Sequence, residues 1–311
     1  MKILVVGASG LLGQHTVTQL QRRGHVTTAL ARTDRPGIDH ALDVSAASVG
    51  DWREVLAGHD GVVFAAGLDD RRPLRRPAYP TLRRANVEPV VALLTAARQE
   101  GLTRAAVIGS YFTCIHRHHP TWHLAIRHPY IRSRVEQAQE GRAAAGPNLP
   151  VAVLEVPFVF GAAIGRRPDW CRPLESWARS RWPLYAPDGS TAVTSARHVA
   201  EVAVTALEHA SGEDLPVVED NLSWQDMIAR VASAVHRARP VRRLPSAVLR
   251  TALHLAGSLE SLTGHQSGLT LAHLPDLLLH DLHLDPGPAA GLGLPGRPNL
   301  LDTAIAESLG R

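Results

Sequence analysis

Short apolar runs alternate with amphipathic stretches through the first half of the chain. Residues 3–6 read ILVV and stop at a glycine turn, and runs of the same kind recur at 26–31, 61–67, 104–108 and 149–161. An uninterrupted apolar run of this length, bounded by turn residues, suits a strand buried on both faces. In residues 40–48, HALDVSAAS, Asp43 is placed to cap a helix beginning near Ser48. Helical segments lie between: from the glycine turn to Gly24, from Arg83 to Gly101, and over 129–144, with Pro129 in the first turn. Strands alternating with helices at these lengths predict an α/β fold, a doubly wound parallel sheet that takes ligands at the carboxyl ends of its strands.

Beyond residue 161 the pattern loosens. Residues 162–187 are irregular and hold Trp170, Trp177 and Trp182 beside Arg166, Arg167 and Arg172. The rings suit either the wall of an apolar or aromatic substrate pocket or the core of a small cap. The arginines suit a phosphorylated substrate or plain solvent. Ser223 caps an amphipathic helix over 224–238, Pro245 begins another, and residues 291–310 form the closing segment.

Composition narrows the function classes. The chain has 311 residues, 45% apolar, with a formal charge of +4. Lys2 is its only lysine, and the arginines are scattered among acidic residues. A nucleic-acid surface would concentrate them in a stripe with interleaved aromatics, so no nucleic-acid partner is expected. No run approaches the roughly 18 apolar residues that span a bilayer, so no membrane partner is expected. Cys114 and Cys171 have neither metal-type spacing nor the makings of a disulfide framework. The run at 3–6 is too short for a signal peptide, and a cytoplasmic, reduced protein is the default.

The glycine turn carries the first chemistry. Gly7, Gly10 and Gly13 follow a strand and open a helix at the chain's start. In that context one glycine permits the turn, one lets backbone approach a pyrophosphate, and one brings helix against strand. The helix-start N–H groups then face the phosphates. The Gly-x-x-Gly-x-x-Gly spacing, with Ser9 inside it, resembles the extended short-chain dehydrogenase/reductase family, which includes nucleotide-sugar epimerases and dehydratases. The resemblance implies cofactor contacts from Gly7, Ser9, Gly10, Leu11, Leu12 and Gly13. It places Asp43 and Val44 at the adenine, and lets Ala65 and Ala66 admit the cofactor closely. Pro157, Phe158 and Val159 would lie beside the nicotinamide. Asn86-Val87 matches the asparagine-containing start of the family's long fourth helix. Arg32 ends the second strand where a carboxylate would take ribose hydroxyls; an arginine there pairs with a 2′-phosphate, which favours NADP over NAD. A solvated surface arginine is the plain alternative. The implied organisation is a dinucleotide-binding core over 1–161 and a mainly substrate-binding region over 162–311, with residues of about 190–210 returning to the core.

The reacting pair is altered. In the family a tyrosine is followed four places later by a lysine; here Tyr130 is followed by Arg134. The two share a helix face. By resemblance Tyr130 is the acid/base and Ser110, with Thr113 second, hydrogen-bonds the substrate oxygen; Tyr111 competes for the expected position of the catalytic serine or threonine. Ser110 also reads as a strand-end cap. A free phenol ionises near pH 10 and needs help at neutrality. Arg134 supplies a charge and a fork for ribose hydroxyls but does not readily release a proton. His116, His118, His119, His123 and His128 cluster nearby, and one of them is a candidate to replace the lost proton relay; as metal ligands they lack partners at recognisable spacing. Glu155 stands where many relatives carry arginine. The reading is an NADP-preferring oxidoreductase or epimerase acting on a small carbonyl or alcohol, aromatic substrates included. A nonredox isomerase or cyclase on the same scaffold and a noncatalytic NADP-sensing regulator of the NmrA-like kind are the alternatives. By analogy with such folds the chain is expected to form a homodimer through paired helices.

Overall fold

The computed structural model describes residues 1–70, 73–294 and 300–310. Seven strands form the central sheet: β1 (Lys2–Val6), β2 (Val26–Ala31), β3 (His40–Ala41), β4 (Gly61–Phe64), β5 (Arg104–Ile108), β6 (Val151–Glu155) and β7 (Asp214–Pro216). Their order is β3-β2-β1-β4-β5-β6-β7, and every neighbouring pair is parallel. This is the doubly wound sheet expected from the run pattern. In β1, Ile3 and Val5 enter one core while Leu4 and Val6 enter the other, and all four are fully buried. Alternate residues on a pleated strand face opposite sides, so a strand covered twice must be apolar throughout.

Helices cover both faces. On one side α1 (Leu11–Arg22) supplies Leu20 to the core holding Ile3 and Val5. On the other lie α2 (Val49–Leu56) and α4 (Glu88–Gln99), with Trp52, Leu56, Leu93 and Leu94 in the core, while α3 (Ala78–Asn86) sets Ala78 and Leu82 in a separate core with Tyr130 and Ile131. The single helix expected over 83–101 is thus broken at Val87. Pro89 has no N–H for the carbonyl four residues back, so α3 cannot run on into α4 unbroken. Ser48 caps α2 through a reciprocal pair with Asp51, which removes Asp43 from that role.

After β5 come α5 (Phe112–His118), α6 (Leu124–Arg127) and α7 (Pro129–Ala145). The run expected as one strand over 149–161 is two. β6 ends at Glu155, and Phe158–Phe160 pairs instead with Ser190–Ser195 in a second sheet. Pro157 cannot donate to a ladder, and the chain changes sheets there. Ser190–Ser195 also pairs with Asp220–Ser223 and Asp281–Leu282. The strand expected to rejoin the main sheet therefore does not. After α8 (Cys171–Arg179), α9 (Ala196–Glu208) packs beside α1 on the main sheet, and β7 adds to its edge. Ser223 caps Trp224–Ala234 as expected, its oxygen accepting from the Asp226 N–H at 2.9 Å. Of the closing segment, Leu300–Ser308 is helical and the turn at 295–299 lies outside the described residues. Among the described residues no helix is long and apolar enough to cross a membrane.

Candidate active site

The turn between β1 and α1 is tightly constrained. Gly7 has φ +82°, and a Cβ there would lie 2.8 Å from the Ala65 carbonyl oxygen. A Cβ on Gly13 would fall 2.1 Å from the Gly7 oxygen. Helix and strand approach too closely for any side chain at position 13. The N–H groups of Gly7 and Ala8 both donate to Leu30 O at 2.9 Å, which seats the turn against the end of β2. Arg32 follows β2 and is exposed. Asp43 is exposed two residues beyond β3 and accepts from Ser45 Oγ at 2.7 Å and from its N–H at 3.0 Å. Those bonds hold its carboxyl below the usual range, and the nearby Arg32 charge adds to them. Val44 is half-buried against the core.

A cavity of about 540 Å³ opens at the carboxyl ends of β4, β5 and β6. Leu12, Ala65 and Ala66 border it on the glycine-turn side, and Pro157, Phe158 and Val159 line the segment where the chain changes sheets. Ser110, Tyr130 and Arg134 border it as well. Gly7, Ser9, Gly10, Leu11, Gly13, Arg32, Asp43 and Val44 do not; they lie outside the cavity wall. The other walls were not foreseen. Leu269, Leu271, Leu274, Leu277 and Leu278 border it, with Trp224 and Phe112.

Pro129 starts α7, and the Tyr130 N–H donates to Gly268 O at 2.9 Å, tying the helix start to the leucine-rich segment. Tyr130 is buried, edge-on to Phe112 at 6.4 Å between centroids. Its phenol oxygen has no hydrogen-bond partner among the described residues. The Arg134 guanidinium carbon stands 5.1 Å from the centre of that ring. Arg134 is 8% exposed and donates to Gln137 Oε1 at 3.0 Å and to Leu68 O at 3.4 Å. Its Nε is buried without a partner. Gln137 is oriented in turn by donating to Asn86 O at 2.7 Å, while Asn86 accepts from the Leu68 N–H at 2.7 Å and donates to Ser133 Oγ at 3.2 Å. One polar network therefore fixes α7, the end of α3 and the loop after β4 around the guanidinium. Asn86 and Gln137 in this network were missed as supports, although Asn86 stood in a recognised motif.

Several expectations do not survive. Thr113 turns from the cavity and donates to Glu155 Oε1 at 2.6 Å. Glu155 is fully buried and bonded by Arg117 at 2.7 and 3.0 Å, so its charge is neutralised locally and does not reach the cavity wall. Tyr111 does border the cavity, but its hydroxyl lies 3.3 Å from Thr191 Oγ1. None of the five histidines borders it: His118 contacts Cys114, His119 stacks on Trp122 at 4.1 Å, and His128 accepts from the Thr270 N–H at 3.1 Å. The proton-relay role is removed for them by position. Nor do Trp170, Trp177 and Trp182 line the cavity. Trp170 packs on Phe158 and Phe160, Trp177 joins a small core with Leu184, and Trp182 is exposed. Among the described residues no group of three or more His, Cys, Asp or Glu side chains is placed to hold a metal.

Comparison with known proteins bears on the fold. Residues 7–146 match the family model described as NAD(P)H-binding. A 3-diazoavenalumate denitrifying reductase from Streptomyces sp. is 28% identical over 271 residues, which span 80% of this chain and 86% of that protein. A nucleoside-diphosphate-sugar epimerase from Pseudomonas aeruginosa has a TM-score of 0.72 at 20% identity, over 100% of this chain and 96% of that one. A human epimerase family protein solved with NADPH gives 0.71 at 17% identity, over 100% of both chains. Residues 7–146 thus match an NAD(P)H-binding domain, and the whole chain shares the fold of these two structures. Its relatives are reductases and epimerases.

In this fold the residue immediately before α7 has a pH consequence. Burial pushes the His128 imidazole down to about 4; His273 and Arg127 add to the effect and Asp276 opposes it. The folded value lies below the ordinary 6.5, so protonation favours the unfolded chain. Stability from the neutral ring is intact above about pH 6.5 and is lost as pH falls toward about 4. A displacement of this size is worth about 3 kcal/mol. His128→Asn is expected to narrow the gap between urea midpoints measured at pH 7 and at about pH 4.5. An unchanged gap would assign the acid sensitivity elsewhere.

Proposed function

We propose that the chain is an NAD(P)H-dependent reductase or epimerase for a small, largely apolar carbonyl or alcohol. Tyr130 serves as acid/base, Ser110 as the anchor of the substrate oxygen, and Arg134 as the charge beside the phenol. The observation that carries this reading is the convergence of a phenol without a hydrogen-bond partner among the described residues, a buried guanidinium and a serine on one cavity, whose other walls are mostly leucine and aromatic rings with Asp69, Asp70 and Ser267 at one side. The residues present suit a dinucleotide. Side-chain-free Gly7 and Gly13 leave backbone exposed where a pyrophosphate approaches, and the orphaned Nε of Arg134 is a donor awaiting an acceptor. Gly10, Leu11 and Leu12 would present N–H groups to the phosphates, with Ser9 beside them. Asp43 and Val44 would flank the adenine, Ala65 and Ala66 would underlie the ribose, and Pro157 to Val159 would border the nicotinamide. Arg32 favours the 2′-phosphate of NADP.

When bound, the dinucleotide supplies or accepts hydride. Ser110 Oγ donates to the substrate oxygen and holds it near the phenol. Tyr130 Oη passes a proton to that oxygen, or takes one from it. The Arg134 charge offsets the negative charge that develops on the phenol oxygen as the proton leaves. Leu269, Leu271 and Leu274 exclude water from the exchange and favour an apolar or aromatic substrate over a nucleotide sugar, whose phosphates would find one guanidinium, that of Arg134, among the described residues of the cavity wall.

The test follows absorbance at the nicotinamide band while the chain is offered NADPH and a panel of small aromatic and aliphatic aldehydes, ketones and diazo compounds, with sugar nucleotides as the contrast. Oxidation with the apolar panel and none with sugar nucleotides is expected. Tight NADPH binding with no turnover across the panel would turn the reading toward a nucleotide-sensing protein.

A further inference from the structure

A residue outside every recognised motif also faces the glycine turn. Residues 162–166 lie as a strap across the start of α1, held by four side-chain bonds. His15 Nε2 is 2.9 Å from Ala162 O; Gln14 Nε2 donates to Ile164 O at 3.1 Å, and Gln14 Oε1 accepts from the Ile164 N–H at 3.0 Å. The fourth bond runs from Arg166 Nε to the carbonyl of Ser9 at 3.1 Å. The strap closes on itself through reciprocal backbone bonds between Ala163 and Arg166, both 2.9 Å. Gly165, at φ +66°, makes the reversal.

An exposed arginine ordinarily extends into water. Here the Nε bond holds the guanidinium against the glycine turn, since Ser9 is inside that turn. The bond uses one of five N–H donors. The four on the terminal nitrogens have no partner, and no carboxylate pairs with Arg166, among the described residues. The turn itself offers no cation: α1 has no basic residue in its first turn, and its dipole provides only about half a charge. A pyrophosphate carries two negative charges and takes planar paired donors well.

We infer that Arg166 completes the phosphate site, pairing through its terminal N–H groups with the pyrophosphate of the bound dinucleotide, and that the strap exists to hold it there. This rests on the nucleotide reading of the same turn. It assigns Arg166 to a group common to NADH and NADPH, whereas Arg32 addresses a group that only NADPH has.

The experiment is calorimetric titration of the full chain with NADPH, NADH and ADP-ribose. Arg166→Ala is expected to weaken all three by a similar factor, roughly tenfold. Arg166→Lys recovers part of the loss, because an ammonium keeps the charge and loses the bond to Ser9. Gln14→Ala, which frees the strap with Arg166 intact, weakens all three to a smaller extent. Arg32→Ala weakens NADPH alone. Affinities of Arg166→Ala within twofold of the parent, or a loss confined to NADPH, overturn the inference while leaving the nucleotide reading in place. A parent chain that binds none of the three removes the nucleotide reading and this inference with it.

Discussion

Tyr130→Phe is expected to lower kcat by about two to four orders of magnitude, the usual worth of a positioned proton donor, while NADPH affinity stays within a few-fold. The ring makes the packing contacts: it is buried, edge-on to Phe112 and over the Arg134 guanidinium. Removing the hydroxyl alone leaves those contacts and breaks no internal hydrogen bond, so the variant should fold normally. Arg134→Met separates the second component. It removes the charge near the ring and also the bonds to Gln137 and Leu68 O. A loss of about 10- to 100-fold is expected, with part of it in NADPH affinity. If the two act as a unit, the double variant is scarcely slower than Tyr130→Phe alone. Arg134→Lys keeps the charge but reaches only one acceptor in place of two, and should fall between the parent and Arg134→Met. Full turnover by Tyr130→Phe with coenzyme bound would mean that the proton moves by another route.

The parts of this molecule legible in its sequence are those decided locally. The ILVV run declares a doubly covered strand because both alternating faces must be apolar, and β1 buries all four residues. The glycine turn is legible because its constraint lies between Gly7 and Gly13 within a single strand-to-helix joint. Tyr130 and Arg134 share a face by helical spacing alone. What escaped depends on distant chain. Trp224 and the leucines of 269–278 reach the cavity only because Phe158–Phe160 leaves the main sheet to join Ser190–Ser195. Pro157 held the signal for that switch, and LTLAHLPDLLL held the signal for an apolar wall. The histidines mislead in the opposite way: residues 116–128 are close to Tyr130 along the chain, yet their helices turn them elsewhere. Thr113 misleads similarly, because three residues past Ser110 on a helical turn it meets Glu155 rather than the cavity.

Arg117→Ala is expected to produce the largest loss of stability among single substitutions of surface-reaching residues, although Arg117 touches neither the cavity nor the glycine turn. Its guanidinium bonds both oxygens of Glu155, whose side chain is 0% exposed, and also lies 2.8 Å from Asp214. Asp214 keeps a second partner in Arg142 at 2.7 Å. Among the described residues Glu155 keeps the hydroxyl of Thr113 and the thiol of Cys114. A buried carboxylate stripped of its counter-charge costs about 3–5 kcal/mol. The Arg117 side chain is 45% exposed, so water can enter the vacated space and the loss should sit near the lower figure, about 3 kcal/mol. Glu155→Gln in the Arg117→Ala background tests the cause: it deletes the charge, keeps the shape, and should restore much of the lost urea midpoint. If the double variant is no more stable than Arg117→Ala, the loss came from the packing of the arginine stem and not from an unpaired charge between β6 and α5.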